Sequence, residues 1–164
     1  LSSLSLTPKI VSTGGTPNLK NLGLLDGATE HRSGTSIFND RMMMAAGVAN
    51  IEDCALTVYT SVVSRAEDTR GILDAGSKTL TPDTGGLDGF GLVLEHPKAR
   101  IHKMAEEHGF IDISSCESRP SIGDIVRVVP NHVCVVVNMF DQLVAVRGNH
   151  IVDVIPIDAR GKLV

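Results

Sequence analysis

Basic blocks, long apolar runs and paired cysteines are all missing from this chain, and each shortage excludes a class of protein. Lys and Arg number 15 against 19 Asp and Glu, for a formal charge of −4, and no basic cluster breaks the mixture. That balance excludes the electrostatic footprint of a nucleic-acid-binding domain. No apolar stretch approaches the ~20 residues of a membrane-spanning helix, so no membrane partner is expected. The 3 cysteines, Cys54, Cys116 and Cys134, are odd in number and widely separated. They make no disulfide framework, which points to a reducing compartment and hence to the cytoplasm. The opening Leu1-Ser2-Ser3-Leu4-Ser5-Leu6 has neither the basic start nor the apolar core of a secretory signal, and it begins with Leu rather than Met. The chain therefore reads as a piece of something longer. Internal repeats and low-complexity segments are absent as well.

What is present changes character near residue 50. With 164 residues, 42% of them hydrophobic, the chain can bury a core for one domain, or for one domain and part of another. In the first part, Pro8-Lys9-Ile10-Val11-Ser12 reads as a buried strand followed by the turn Thr13-Gly14-Gly15-Thr16-Pro17. Thr29–Arg32 and Thr35–Phe38 suggest another strand ending at Asn39-Asp40, and Met42–Ala46 a short helix whose methionines pack. These pieces match the tail of a strand–helix repeat, too short to close a sheet alone. After residue 50 strands dominate: Ala55–Ser64, Ile72–Gly76, Phe110–Ile113, Ile125–Val129, Val133–Asn138, Gln142–Arg147 and His150–Pro156. Ile101–Gly109 has helical or loop character. Turn signals at Asp141-Gln142 and Gly148-Asn149 predict hairpins, giving an antiparallel sheet or barrel that ends in a meander.

The segment Pro130–Asn138 holds the sharpest chemical signal. Read as a strand, it sends His132 and Cys134 from one face and Val133, Val135 and Val137 from the other. An imidazole nitrogen and a thiolate suit a soft divalent ion, zinc first, at about 2.0–2.3 Å. Two protein ligands leave coordination positions open, as a catalytic metal requires. A buried thiol beside a half-buried imidazole is the alternative.

In order along the chain stand Ser-Thr-Gly-Gly-Thr-Pro (12–17), Thr-Glu-His-Arg-Ser-Gly-Thr-Ser-Ile-Phe-Asn-Asp (29–40), Asp-Ala-Gly-Ser-Lys-Thr-Leu (74–80), Gly-Phe-Gly (89–91), Glu-Glu-His-Gly (106–109), Gly-Asp (123–124), Pro-Asn-His-Val-Cys (130–134), Asn-Met-Phe-Asp (138–141) and Ala-Arg-Gly (159–161). This succession resembles the D-threonine aldolase / D-serine dehydratase family, fold-type III pyridoxal-phosphate enzymes related to alanine racemase. The resemblance implies a mainly β chain with some α. Residues 1–50 would be the last strand–helix pieces of a (β/α)8 barrel, and residues 51–164 a C-terminal antiparallel β domain bearing the metal.

The resemblance also implies roles. Gly14, Gly15 and Thr16 match the cofactor-phosphate loop, in keeping with glycine-rich turns at the C-terminal ends of barrel strands. Ser36 stands where family members carry a tyrosine near the cofactor, and Val135 where a proline commonly follows the cysteine. His132 and Cys134 match the metal ligands, for zinc or else manganese or magnesium. The Schiff-base lysine falls in barrel strands this sequence does not include, so no catalytic residue is assigned; Lys78 is expected at the rim of the site. Glu106, Glu107 and His108 are candidates to reach a partner's active site in a head-to-tail homodimer, against the alternative of a solvated helix end capped by Gly109. Cys54 and Cys116 are expected to be inert thiols. His31, His96, His102 and His150 share no metal-binding spacing, and Asp83 and Asp88 either line an opening or are simply solvated.

The implied reaction is lyase chemistry on a small β-hydroxy D-amino acid. Loss of the α-proton and the hydroxyl gives a keto acid and ammonia, as in D-serine or 3-hydroxy-D-aspartate dehydratases. Cleavage between Cα and Cβ gives glycine and an aldehyde, as in D-threonine aldolase. Cys134 favours dehydration, while the 74–79 motif is closer to the aldolases. Two other classes stay open: a non-catalytic metal-binding β domain, and a racemase-like enzyme without metal.

Overall fold

The computed structural model describes residues 8–162; the leucine–serine run at the start lies outside them. Two short strands, β1 (Ser12–Gly14) and β2 (Glu30–Arg32), pair in parallel with Thr13 opposite His31. A parallel pair needs a crossover, supplied here by a 3₁₀ segment, Thr16–Leu24, with Pro17 in its first turn. The first strand thus sits later than the Pro8–Ser12 expectation, and the turn glycine is Gly15 (φ 96°). Thr35–Phe38 is not a strand. Phe38 and Asn39 donate back to Thr35 O at 3.1 and 2.7 Å, winding Thr35–Ile37 into a 3₁₀ turn. The short helix α1 (Arg41–Ala45) follows as expected, capped by Asp40.

The rest is mainly β. Strands β3 (Val58–Glu67), β4 (Arg70–Leu73), β5 (Leu92–Val93), β6 (Arg100–Met104), β7 (Gly109–Asp112) and β8 (Ile125–Val129) form one antiparallel sheet in the order β5-β8-β3-β4-β7-β6. In β3 the alternation is direct, with Val58, Thr60 and Val62 buried and Tyr59 and Val63 exposed. The sheet curls until Phe90 N–H donates to Ile101 O (3.0 Å), so it is nearly closed. Closure needs Gly91 (φ 144°), because a side chain there would run into Val128. Leu73, Ile101, Ile111, Ile113 and Val128 fill the interior.

Strand β6 replaces the helical or loop character expected for Ile101–Gly109. A bulge between Ile101 and Lys103 breaks the alternation, so that Ile101 and Met104 both turn toward the core and imitate a helical i, i+3 spacing. Residues 105–108 are the β6–β7 turn, closed by Ala105 N–H to His108 O at 2.8 Å. Glu106, Glu107 and His108 therefore do not end a helix. Gly76 packs against this turn so closely that a methyl group would overlap Ala105 O and Glu106 O. The short helix α2 (Ser77–Leu80) starts there.

The meander fails after β8. Val133–Met139 is helix α3, and β9 (Gln142–Arg147) pairs among the described residues with β10 (His150–Pro156) alone, in a separate antiparallel hairpin turned at Gly148. Asp141-Gln142 joins a helix to a strand and is no hairpin turn. Valine-rich sequence favours strands, but here tertiary contacts decide. Val133 and Val136 are buried and Val137 and Phe140 pack against the core, an i, i+3, i+4, i+7 stripe. Val135, on the other side, is 39% exposed. Its place in the first helical turn, where backbone N–H groups lack intrahelical partners, explains why a proline is acceptable there. Val135→Pro is expected to change unfolding free energy by less than about 1 kcal/mol, and Val137→Pro to cost about 3 kcal/mol or more. Denaturant titration of both variants checks this; equal losses would contradict the helix.

Candidate active site

His132 is the N-cap of α3, in extended conformation (φ −133°, ψ 108°), and Cys134 lies in the first turn. The two are not same-face neighbours of a strand. Each lies against one stretch, residues 35–40. Thr35 Oγ1 lies 3.6 Å from Cys134 Sγ, and Asp40 Oδ2 lies 3.2 Å from His132 Nδ1. The imidazole is 24% exposed while Asp40 is 0% exposed.

Asp40 is the hub of the arrangement. Its Oδ1 accepts Met43 N–H at 2.9 Å, the N-cap bond of α1, and its Oδ2 accepts Val133 N–H at 3.0 Å beside the histidine. The reciprocal bonds run the other way, with Arg41 N–H donating to Pro130 O and Met42 N–H to Asn131 O, both at 3.2 Å. The two helix starts satisfy each other's unpaired amides.

A second layer surrounds them. Asn131, 1% exposed, accepts Arg41 Nη1–H at 2.6 Å and donates to Gly89 O at 2.8 Å and Asp83 O at 3.3 Å. The glycine-rich loop 83–91 is thereby tied to the residue before His132. Burial lowers the pKa of the Arg41 guanidinium, a shift that the charge of Asp88 partly offsets. Asp88 itself is paired with Arg100.

The turn after β1 meets the same stretch. Thr16, buried, accepts Ser36 N–H on Oγ1 at 3.1 Å, so the segments leaving the C-terminal ends of both parallel strands are joined. Gly15 N–H donates to Arg32 O at 3.0 Å, and Gly14 approaches that same carbonyl closely. The Ser36 hydroxyl bonds to Ser33 Oγ at 3.1 Å. Of the expected cofactor residues, Thr16 accepts this one bond on Oγ1, and a Cβ on Gly15 would stand in ordinary van der Waals contact with Asn18 Nδ2 (3.7 Å) and Pro17 Cδ (3.9 Å).

The other polar candidates take ordinary positions. Lys78 lies between Glu107 (2.6 Å) and Glu106 (3.2 Å), whose hydrogen bonds and charges raise its pKa. Burial, followed by nearby carboxylates, pushes the Cys54 thiol up, and burial does the same for Cys116, consistent with inert thiols. His31 bonds to Thr13 Oγ1 and His96 to Ser118 O.

Among the described residues no group of three or more His, Cys, Asp and Glu side chains can hold one ion. An imidazole and a thiol are nitrogen and sulfur donors of the kind zinc takes. The sequence reading singled out this pair but missed Asp40, Thr35, Asn131 and Arg41. Asp40 had a usable signal, an acidic N-cap ahead of the Met42–Ala46 helix. Its reach to residue 132 had none. No helix among the described residues is long and apolar enough to cross a membrane.

Comparison with known proteins agrees with this architecture. Residues 55–146 match the family model described as "Putative serine dehydratase domain". An uncharacterized protein of Mycobacterium tuberculosis is 35% identical over 131 residues, 77% of this chain and 98% of that protein. D-threo-3-hydroxyaspartate dehydratase of Delftia sp. is 31% identical over 154 residues, 82% of this chain but 40% of the enzyme. Its structure superposes with a TM-score of 0.81. It is also known as a histidine-to-alanine variant and as a metal-free cysteine-to-alanine variant, the two positions being two residues apart. The D-threonine aldolase of Filomicrobium marinum, 26% identical, superposes with a TM-score of 0.82 over 100% of this chain and 45% of its own. An alanine racemase-like protein of Idiomarina loihiensis, at 22% identity and a TM-score of 0.83, shares the fold. The chain thus spans less than half the length of these named enzymes. The matched model, the dehydratase and aldolase relatives and the nearly closed β architecture agree, and the chain belongs to the D-serine dehydratase-like family, together with D-threonine aldolases and hydroxyaspartate dehydratases.

Proposed function

We propose that this chain is the metal-bearing part of a pyridoxal-phosphate-dependent lyase acting on β-hydroxy D-amino acids, with dehydration as its reaction. One observation carries the reading. Residues 35–40 touch the phosphate-type turn through Ser36 and Thr16, and they touch both metal-ligand candidates through Thr35 and Asp40. Sites separated by about a hundred positions in sequence are thereby joined through one short stretch of backbone.

When bound, pyridoxal phosphate supplies an electron sink and a divalent ion supplies Lewis acidity. His132 and Cys134 would hold the ion, and Thr16 with Gly14 and Gly15 would receive the phosphate end. Ser36 enters through its backbone, which fixes Thr16, more than through its hydroxyl. The buried Asp40 holds the His132 ring, and the Arg41–Asn131 pair holds the backbone in front of it. Lys78 is an unsuitable Schiff-base lysine, because a raised pKa works against the free amine such a residue needs. The division at residue 50 and a homodimer that brings Glu106, Glu107 and His108 near a partner's site belong to the same proposal, as does a cytoplasmic location.

Dehydration is favoured over aldol cleavage by Cys134, since the Delftia dehydratase has a cysteine two residues beyond a histidine, and substituting that cysteine accompanies a metal-free form. The aldolase reading keeps its support in the Filomicrobium superposition.

Calorimetric zinc titration of the chain should give one site, weakened at least about tenfold by either His132→Ala or Cys134→Ala, the loss of one good ligand bond. Binding indifferent to both substitutions contradicts the metal role. The full-length protein with D-serine, D-threo-3-hydroxyaspartate and D-threonine should release ammonia; glycine plus an aldehyde would select the aldolase reading, and no turnover of any of them would reject a lyase. In that protein Thr16→Val should weaken pyridoxal-phosphate binding about tenfold, followed by absorbance, and leave zinc affinity unchanged.

A further inference from the structure

We propose that Asp40 is a positioning residue of the metal site: it fixes His132 in the tautomer that carries its proton on Nδ1, so that Nε2 presents the lone pair. This deepens the reading of His132 as a metal ligand and rests on it. The argument starts from what Asp40 accepts. Its side chain is fully buried, and the two backbone groups bound to it, Met43 N–H and Val133 N–H, can only donate. Nδ1 lies 3.2 Å from the oxygen that already accepts Val133 N–H, and in the proposed arrangement Nδ1–H donates to that oxygen as a third partner. In the neutral ring that a metal needs, Nε2 is then the nitrogen with the lone pair.

The placement is rigid. Asp40 cannot swing away without uncapping α1, and Val133 N–H on the same oxygen locks the backbone next to the ring. The Arg41 and Met42 amides, donating to Pro130 O and Asn131 O, hold the two helix starts in register. A carboxylate on the far nitrogen of a metal-bound histidine sets its orientation and raises its basicity, and losing such a partner costs about 10–100-fold in metal affinity. Thr35, 3.6 Å from Cys134 Sγ, stands in a similar relation to the other ligand. Asp40 differs from it in being wholly enclosed and triply bonded.

The test combines NMR of imidazole-¹⁵N-labelled chain with zinc titration. In the metal-free wild type, His132 should show a protonated Nδ1 and a lone-pair Nε2, a signature that a merely structural role for Asp40 does not require. Asp40→Asn should mix the tautomers and raise the zinc Kd about 10–100-fold. Val62→Ala, a destabilising core substitution away from the site, should leave the zinc Kd within about twofold, the error-scale coupling of independent positions. A wild-type ring protonated on Nε2, or an unchanged Kd in a folded Asp40→Asn, overturns the proposal. If Asp40→Asn does not fold, the wild-type tautomer decides. Failure of the underlying metal reading is seen separately, as zinc binding that is absent or indifferent to His132→Ala, and it removes the proposal with it.

Discussion

A buried carboxylate governs this structure. Asp40 has no contact with water, and taking such a group out of solvent is costly unless donors replace the water. Two backbone donors do so, Met43 N–H and Val133 N–H, and His132 Nδ1 lies 3.2 Å from the second oxygen. These bonds stabilise the junction, and loss of either backbone donor leaves an unsatisfied oxygen in a dry place. The constraint runs in both directions along the chain. It starts α1, starts α3, and holds the imidazole between them.

Much of the fold was legible because sheet alternation is a local signal. The β-branched run Ala55–Ser64 announces β3, in which Val58, Thr60 and Val62 are buried. Two places misled for identifiable reasons. The bulge after Ile101 breaks the period of two and gives β6 a helical look. The valines of 133–137 carry strand propensity, yet their buried members follow a period of 3.6 once Phe140 is included. Weighing spacing above residue type would have found α3.

The candidate site was legible in part. His132 and Cys134 were evident from type and proximity, although the geometry assumed for them was wrong: they begin a helix and do not share a strand face. Asp40 and Thr35 were individually unremarkable as sequence. Their importance comes from contacts across 92 and 99 positions, which no local pattern encodes. The same contacts bring together three of the quoted motifs, 12–17, 29–40 and 130–134. The hairpin β9–β10, by contrast, has no hydrogen-bonded strand partner beyond itself among the described residues, and nothing in the site depends on it.

The central claim is that an imidazole held by Asp40 and a sulfur from the first turn of α3 grip one ion. Anomalous diffraction at the zinc edge, from crystals grown with zinc, measures this directly. The account predicts one peak per chain at about 2.0–2.3 Å from His132 Nε2 and Cys134 Sγ, with Asp40 still on Nδ1. A peak elsewhere, or one on Nδ1 with Asp40 displaced, would contradict it.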